Sequence, residues 1–280
     1  MKSKIIKLPF GAGRIVLAHE LEGSATHLGG IKFGTNLRAN QIRDGRVIGE
    51  RNLGSGLVTN VGVLALANDF GWSATNALNS LFAKMKYHAS GKGTTSAAET
   101  DIKLETVSTV GGQTPVAGTQ VLVSAANAQK YQSVATIAYT GAEAVTEWGF
   151  LAYGSTLPAV ADLSDATGSP FTAGGATSGT TTGTTLTASS ATVMGQQMSI
   201  FERTSGTNLS YGLVTSNTTS VITVPAWYLV ATGAAGQAPG NAETYVIRPI
   251  MWDHKVFSAI NVVNGDSIQY TYTLTISSGG

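Results

Sequence analysis

From residue 267 to 276 the chain alternates without fault. Ile268, Tyr270, Tyr272, Leu274 and Ile276 fall on one side, and Ser267, Gln269, Thr271, Thr273 and Thr275 on the other. A period of two belongs to an extended strand, because successive side chains point to opposite faces of the pleat. One face is therefore built for burial. The other is threonine-rich and uncharged, lacking the lysines that commonly protect an exposed edge strand. Such a strand is either central in its sheet or paired inside an assembly. Just upstream, Asn264-Gly265 separates it from a second apolar run over 256–263. Both positions of this pair tolerate positive φ, so the pattern predicts a two-residue hairpin.

Short strand patterns recur through the chain, at 131–140, 147–153, 184–188, 196–203, 210–215, 221–224 and 244–247, separated by turn residues such as Ser205-Gly206 and Ser216-Asn217. One region reads differently. Asn60 can cap a short helix over 61–70 carrying Val63, Leu64 and Ala67. Ser73 can cap a second, in which Leu78, Leu81, Phe82 and Met85 recur at i, i+3, i+4 and i+7. That stripe is the face of a core helix. Residues 154–185 form a Gly/Ser/Thr/Ala-rich connection.

The surface implied by composition is unusual. Charged residues are 12% of 280, about half the usual share of roughly 25%. With 34 glycines and 42% hydrophobic residues, this suggests surfaces covered by neighbours, since an isolated soluble chain keeps more charge for colloidal stability. The charge is also unevenly placed. Residues 1–51 hold nine Lys/Arg against four acids, and 104–247 hold two against seven. A basic end and an acidic body favour docking between copies or onto a larger assembly. The bases are spread out, with few aromatics to stack on bases, so nucleic acid is not the expected partner. Met1–Phe10 lacks the apolar run of a signal peptide, and no stretch reaches transmembrane length. The expectation is a protein made in the cytoplasm, without a membrane partner.

Little in the chain suggests chemistry. It has no cysteine, and its four histidines (His19, His27, His88, His254) show no metal-ligand spacing. Asp253 and His254 are neighbours on a strand and should face opposite ways, which does not suit an acid–base pair. Gly91-Lys92-Gly93-Thr94 superficially resembles a phosphate loop but lacks the Ser/Thr after the lysine and the upstream glycine. Glu143 and Glu147 are the best carboxylate pair, Glu143 read as solvated and Glu147 as bonding backbone or a base. The expectation is a non-enzyme with no cofactor and no metal. Trp227 and Tyr228, with Trp148 and Tyr153, are the aromatics that could stack on a sugar, although core packing is the favoured reading.

Three segments resemble virion proteins of tailed bacteriophages: Leu57-Val-Thr-Asn-Val-Gly-Val63 with Tyr87-His-Ala-Ser-Gly-Lys-Gly-Thr-Thr-Ser-Ala-Ala98 and Asp101-Ile-Lys-Leu104; Glu147-Trp-Gly149 within 136–149; and Val256-Phe-Ser-Ala-Ile-Asn-Val-Val-Asn-Gly-Asp-Ser-Ile-Gln-Tyr270. They are similar to patterns shared by tail-fibre, baseplate and head-associated proteins, and cover about 57–153 and 252–280. The pattern over 184–247 resembles small β modules displayed on phage proteins. The resemblance implies a virion location, capsid, neck or tail proteins as partners, and homo-oligomeric assembly. A head-associated or decoration role is preferred, since the chain lacks the repeats or heptads of a long fibre. The alternative is a tail- or fibre-associated receptor- or glycan-binding protein.

The expected architecture is mainly β: an antiparallel, jelly-roll-like β-sandwich over 57–153 and 250–280, with a helical segment at 60–86. Residues 1–56 would be an extended basic arm, docking through Lys2, Lys4, Lys7, Arg14, Arg38, Arg43 and Arg46. Residues 154–249 would be the connection and an inserted small β module.

Overall fold

A computed structural model describes residues 4–7, 14–17, 31–70, 84–125, 128–152, 171–172, 199–203, 209–213, 216–217, 222–224, 226–236 and 244–278. Two β-sheets form the main body. The first runs β1 (Lys4–Lys7), β2 (Arg14–Leu17), β3 (Ile31–Arg43), β19 (Ser267–Ser278), β9 (Ala128–Ala138) and β8 (Thr119–Ala125), with β4 (Arg46–Gly54) also paired to β3. The second runs β5 (Leu57–Val58), β18 (Met251–Val262), β10 (Glu143–Leu151), β6 (Tyr87–Gly91) and β7 (Val116–Ala117). Pairing is antiparallel throughout these two sheets, except between β2 and β3. The chain is mainly β, an antiparallel sandwich with a small helix.

The alternating terminal segment is β19, and it is central. β3 pairs along one side from Ile31 to Ile42, and β9 along the other from Ala128 to Ala138. Its missing edge lysines are thereby explained, since neither backbone edge meets solvent. Ile268, Tyr270, Tyr272 and Leu274 are buried and meet Trp148, Phe150 and Trp252 of the second sheet. The rings of Phe150 and Tyr272 lie 4.4 Å apart, and those of Trp148 and Tyr272 5.5 Å apart. Trp252 donates its indole N–H to the Tyr272 hydroxyl at 2.8 Å, which satisfies a buried donor inside an apolar core.

The Asn264-Gly265 turn is not a hairpin. β18 and β19 lie in opposite sheets, so the turn is an arch across the sandwich. Backbone geometry gives the reason: only Gly265 has positive φ, at 88°, whereas the favoured hairpin turn needs it at both central positions. Asp44 (φ 48°) and Gly45 (φ 72°) meet that requirement, and they join β3 to β4 with Arg43 opposite Arg46.

That hairpin falls within the N-terminal arm expected over 1–56, and it replaces the arm with sheet from Ile31 to Gly54. From Ile31 onward the segment is sheet, with Phe33, Leu37 and Ala39 in the core. Removing residues 1–50 would strip β19 of a neighbour along its whole length and should unfold the protein rather than free it from a partner.

The helix is α1 (Asn60–Phe70). Its cap is Thr59, whose hydroxyl accepts the Gly62 N–H at 3.1 Å, rather than Asn60. The second expected helix, with Leu78, Leu81 and Phe82, lies outside the described residues, as does the strand expected at 184–188; Met85 is buried.

A third sheet runs β11 (Phe171–Thr172), β17 (Thr244–Pro249), β12 (Ser199–Arg203), β13 (Ser210–Leu213) and β16 (Trp227–Leu229), beside a two-stranded ribbon of β14 (Ser216–Asn217) and β15 (Ile222–Thr223). This inserted part is not set apart from the body. β17 runs through Ile250 into β18, and Ile200, Tyr211, Leu213 and Ile250 share one apolar cluster with Val61, Ala65 and Leu66 of α1.

Candidate functional site

The densest polar constellation gathers on the outer face of the second sheet, under the segment from Gly91 to Thr109. Glu147 on β10 is completely buried there. Its carboxylate accepts the backbone N–H groups of Gly93 (3.0 Å), Glu105 (2.5 Å) and Thr106 (3.1 Å). His254, one strand away on β18, donates Nε2–H to Glu147 Oε1 at 2.9 Å and Nδ1–H to Asp101 Oδ2 at 2.7 Å. Burial opposes a charged ring, but the two carboxylates outweigh it and raise the His254 pKa to about 9. The imidazolium thus sits between two acids with both N–H groups taken.

Gly91 and Gly93 make this packing possible. A Cβ on either would fall 2.3 or 2.6 Å from Glu147 Oε2. The glycine pair that superficially looks like a phosphate loop instead wraps the protein's own carboxylate. Two more acids bind the same loop. Glu105 accepts the N–H groups of Thr94 and Thr95 at 2.8 and 2.9 Å. Glu143 accepts from the Ser108 hydroxyl and pairs with Lys92 at 3.2 Å, so it is bonded to the loop rather than solvated. Each acid is spent on backbone donors or a cation, which holds a long irregular segment against the sheet.

His88 occupies the opposite face of the second sheet, fully buried among Trp148, Phe150 and Tyr270. The Trp148 indole can only donate, so His88 Nδ1 accepts its N–H at 3.2 Å and Nε2–H is directed to the Ser133 hydroxyl at 2.9 Å. Burial pushes its pKa down to about 3, leaving a neutral ring. Asp253 faces away from His254, as strand alternation predicts, and presses on Gly56. Among the described residues, no group of three or more His, Asp or Glu is arranged to hold a metal ion.

The expected docking residues are dispersed. Lys4 and Lys7 lie on β1 and Arg14 on β2, while Lys2 is outside the described residues. Arg38 is exposed on β3, and Arg46 opens β4. Arg43, 44% exposed, pairs with the buried Asp266 at 2.7 Å. The candidate stacking aromatics are committed to the interior. Trp227 is 3% exposed and Trp148 fully buried, and Tyr228 is half-buried with its ring 5.8 Å from that of Tyr211. Tyr153 lies outside the described residues.

The strand edges differ sharply in protection. Along β18, Arg51 donates to the carbonyls of Ser258 and Ala259, both at 2.9 Å, and Gln41 donates to that of Asn261 at 2.7 Å. Those acceptors are closed to an incoming strand. β4 is studded with Arg46, Glu50 and Arg51. β8, the far edge of the first sheet, reads Thr-Gln-Val-Leu-Val-Ser-Ala with no charge. Val121, Leu122 and Val123 are 46%, 69% and 37% exposed. The uncharged alternation of β19 belongs to a central strand, one of the two placements its pattern allows, and the unguarded edge is β8 instead. The signal for β8 was its own apolar triplet without a flanking charge. No family model, curated protein or solved structure matches the chain.

Proposed function

We propose that the chain is a structural component of a bacteriophage particle, acting through sheet surfaces that bury against neighbouring virion proteins. The observation that supports this reading best is where the phage-like segments meet. Thr59 follows Leu57-Val58 and bonds the Met251 carbonyl through its hydroxyl; Gly91 and Gly93 enclose Glu147; Asp101 pairs with His254; Trp148 bonds His88. The residues that carry the resemblance interlock in the second sheet and its covering loop, where they act as framework. Many of their polar groups are matched to one another across these contacts. A head-associated or decoration role is preferred within this reading. Cryo-electron microscopy of purified particles tests it: density fitting the two-sheet body is expected at a repeated position. Mature particles without such density would overturn the proposal.

A further inference from the structure

We infer that β8 is a self-association edge, pairing antiparallel with the β8 of a second copy about a two-fold axis through Leu122. Three features of the strand support this choice of partner. First, among the described residues β8 pairs with one strand only, β9, so its outer backbone edge presents a row of donors and acceptors. Second, every residue from Thr119 to Val123 is exposed, so neither face of that stretch is covered by the chain's own body. Third, the strand is nearly symmetric about its centre. In a two-fold antiparallel pair centred on Leu122, Val121 meets Val123 of the other copy, Gln120 meets Ser124, and Thr119 meets Ala125. At the centre valine opposes valine and leucine opposes leucine, with glutamine opposite serine and threonine opposite alanine beyond them.

Charge favours the same occupant. A strand of identical copies must not bring like charges together, since directly opposed like charges destabilise a pair. β8 carries none, and the nearest cation across the ladder, Lys130, stands one strand back, opposite Val123. An edge meant for a charged partner would carry the complementary charge; this one carries no charge of either sign. The contact is isologous and closes after two copies, so it does not propagate into a filament. It rests on the strand itself and does not require the particle assignment.

Sedimentation velocity on the full chain over a range of concentrations tests the inference together with engineered thiols. A reversible dimer is expected, and Leu122→Lys, at an exposed site where folding should be unaffected, should weaken it at least about tenfold by placing two lysines face to face. The natural chain has no cysteine, so single thiols report position without interference. Directly opposed antiparallel residues have Cα atoms roughly 4.5–5.5 Å apart, within disulfide reach. Leu122→Cys should therefore cross-link to itself under mild oxidation, and Val47→Cys, also exposed on β4, should not. A chain that stays monomeric at every concentration, a dimer unaffected by Leu122→Lys, or equal cross-linking at both thiols would each overturn the inference.

Discussion

Arg43 grips the buried carboxylate of Asp266, with Nε 2.7 Å from Oδ1 and Nη2 2.8 Å from Oδ2. The pair ties the end of β3 to the arch between β18 and β19. Asp266 also accepts the Val263 N–H at 3.1 Å, and its own carbonyl accepts the Tyr139 N–H at 2.8 Å. Asp266 therefore holds together the two crossings of the chain between sheets, one through its side chain and the other through its backbone.

The bond from Arg43 holds the Asp266 carboxyl well below the usual carboxylate range. A folded-state pKa lower than the unfolded one contributes stability that is present above about pH 4 and lost as pH falls through the folded value. The arch should thus survive mild acid. Arg43→Gln is expected to raise the pH of acid unfolding, and Asp266→Asn to lower the melting point by a few degrees at pH 7 while flattening the acid limb. Circular-dichroism melts between pH 2 and 7 check both. An unchanged acid midpoint in Arg43→Gln would show that the pair does not hold the arch.

His254 should act at the other end of the scale. Its pKa is raised to about 9 by Asp101 and Glu147 against the opposing effect of burial. The sign is reversed for a raised base: stability is fully present below the unfolded value of about 6.5 and lost as pH rises through 9. Denaturant midpoints are expected to fall between pH 7 and 9.5 in the natural chain. In His254→Gln that alkaline slope should be shallower, with lower stability at pH 6. A slope identical in the two proteins would assign the alkaline limb elsewhere.

How much of this was legible follows from what each signal can encode. β19 was readable because large apolar residues mark every second position. β3 has the same period but spends it on Phe33, Thr35, Leu37 and Ala39, with Gly34 and Arg38 between, so its core face is small and its outer face charged. That weak contrast reads as an arm. At Asn264-Gly265 local chemistry specified a tight turn, but which sheets its two strands join depends on β3 and β9, more than a hundred residues upstream. The same local signal in Asp44-Gly45 makes a real hairpin. The network around Glu147 could be anticipated only in part: a strand acid beside a tryptophan needs donors, yet nothing local shows that they come from Gly93, Glu105 and Thr106.

Gly91 and Gly93 supply the space that this network needs, which makes them sharp tests of it. A methyl group at Gly91 would also lie 2.6 Å from the Thr106 carbonyl, and one at Gly93 2.7 Å from the Glu105 Cβ. Glu147 cannot retreat without abandoning its backbone donors and His254 in a buried site. Gly91→Ala and Gly93→Ala should each cost roughly 2–4 kcal/mol, the range for disrupting a buried charged network. Gly49→Ala is the matched control, because its nearest neighbour atoms in Gln41 lie 3.9 Å away. It should fall within about 0.5 kcal/mol of the natural chain. Urea denaturation compares the three, and a control as damaging as the other two would refute the packing argument.

Asp253 predicts the opposite outcome, a substitution that helps. The residue is completely buried, and neither carboxylate oxygen has a hydrogen-bond partner among the described residues. Burial raises its pKa to about 7; the Tyr272 and Thr35 hydroxyls lie near without meeting hydrogen-bond geometry, and together with the charges of His254 and Lys255 they oppose burial only in part. A raised carboxyl favours the fold fully below the unfolded value of about 3.8, and that contribution is lost as pH rises through 7. At pH 8 the core therefore holds a poorly compensated ion, which is costlier than a neutral amide of the same shape. Asp253→Asn is expected to stabilise by roughly 1–2 kcal/mol at pH 8. At pH 5, where the acid is itself protonated in the fold, most of that gain should vanish. Denaturant titrations of both proteins at the two pH values decide the matter. A gain equal at pH 5 and pH 8 would mean that charge burial at Asp253 is not the cause.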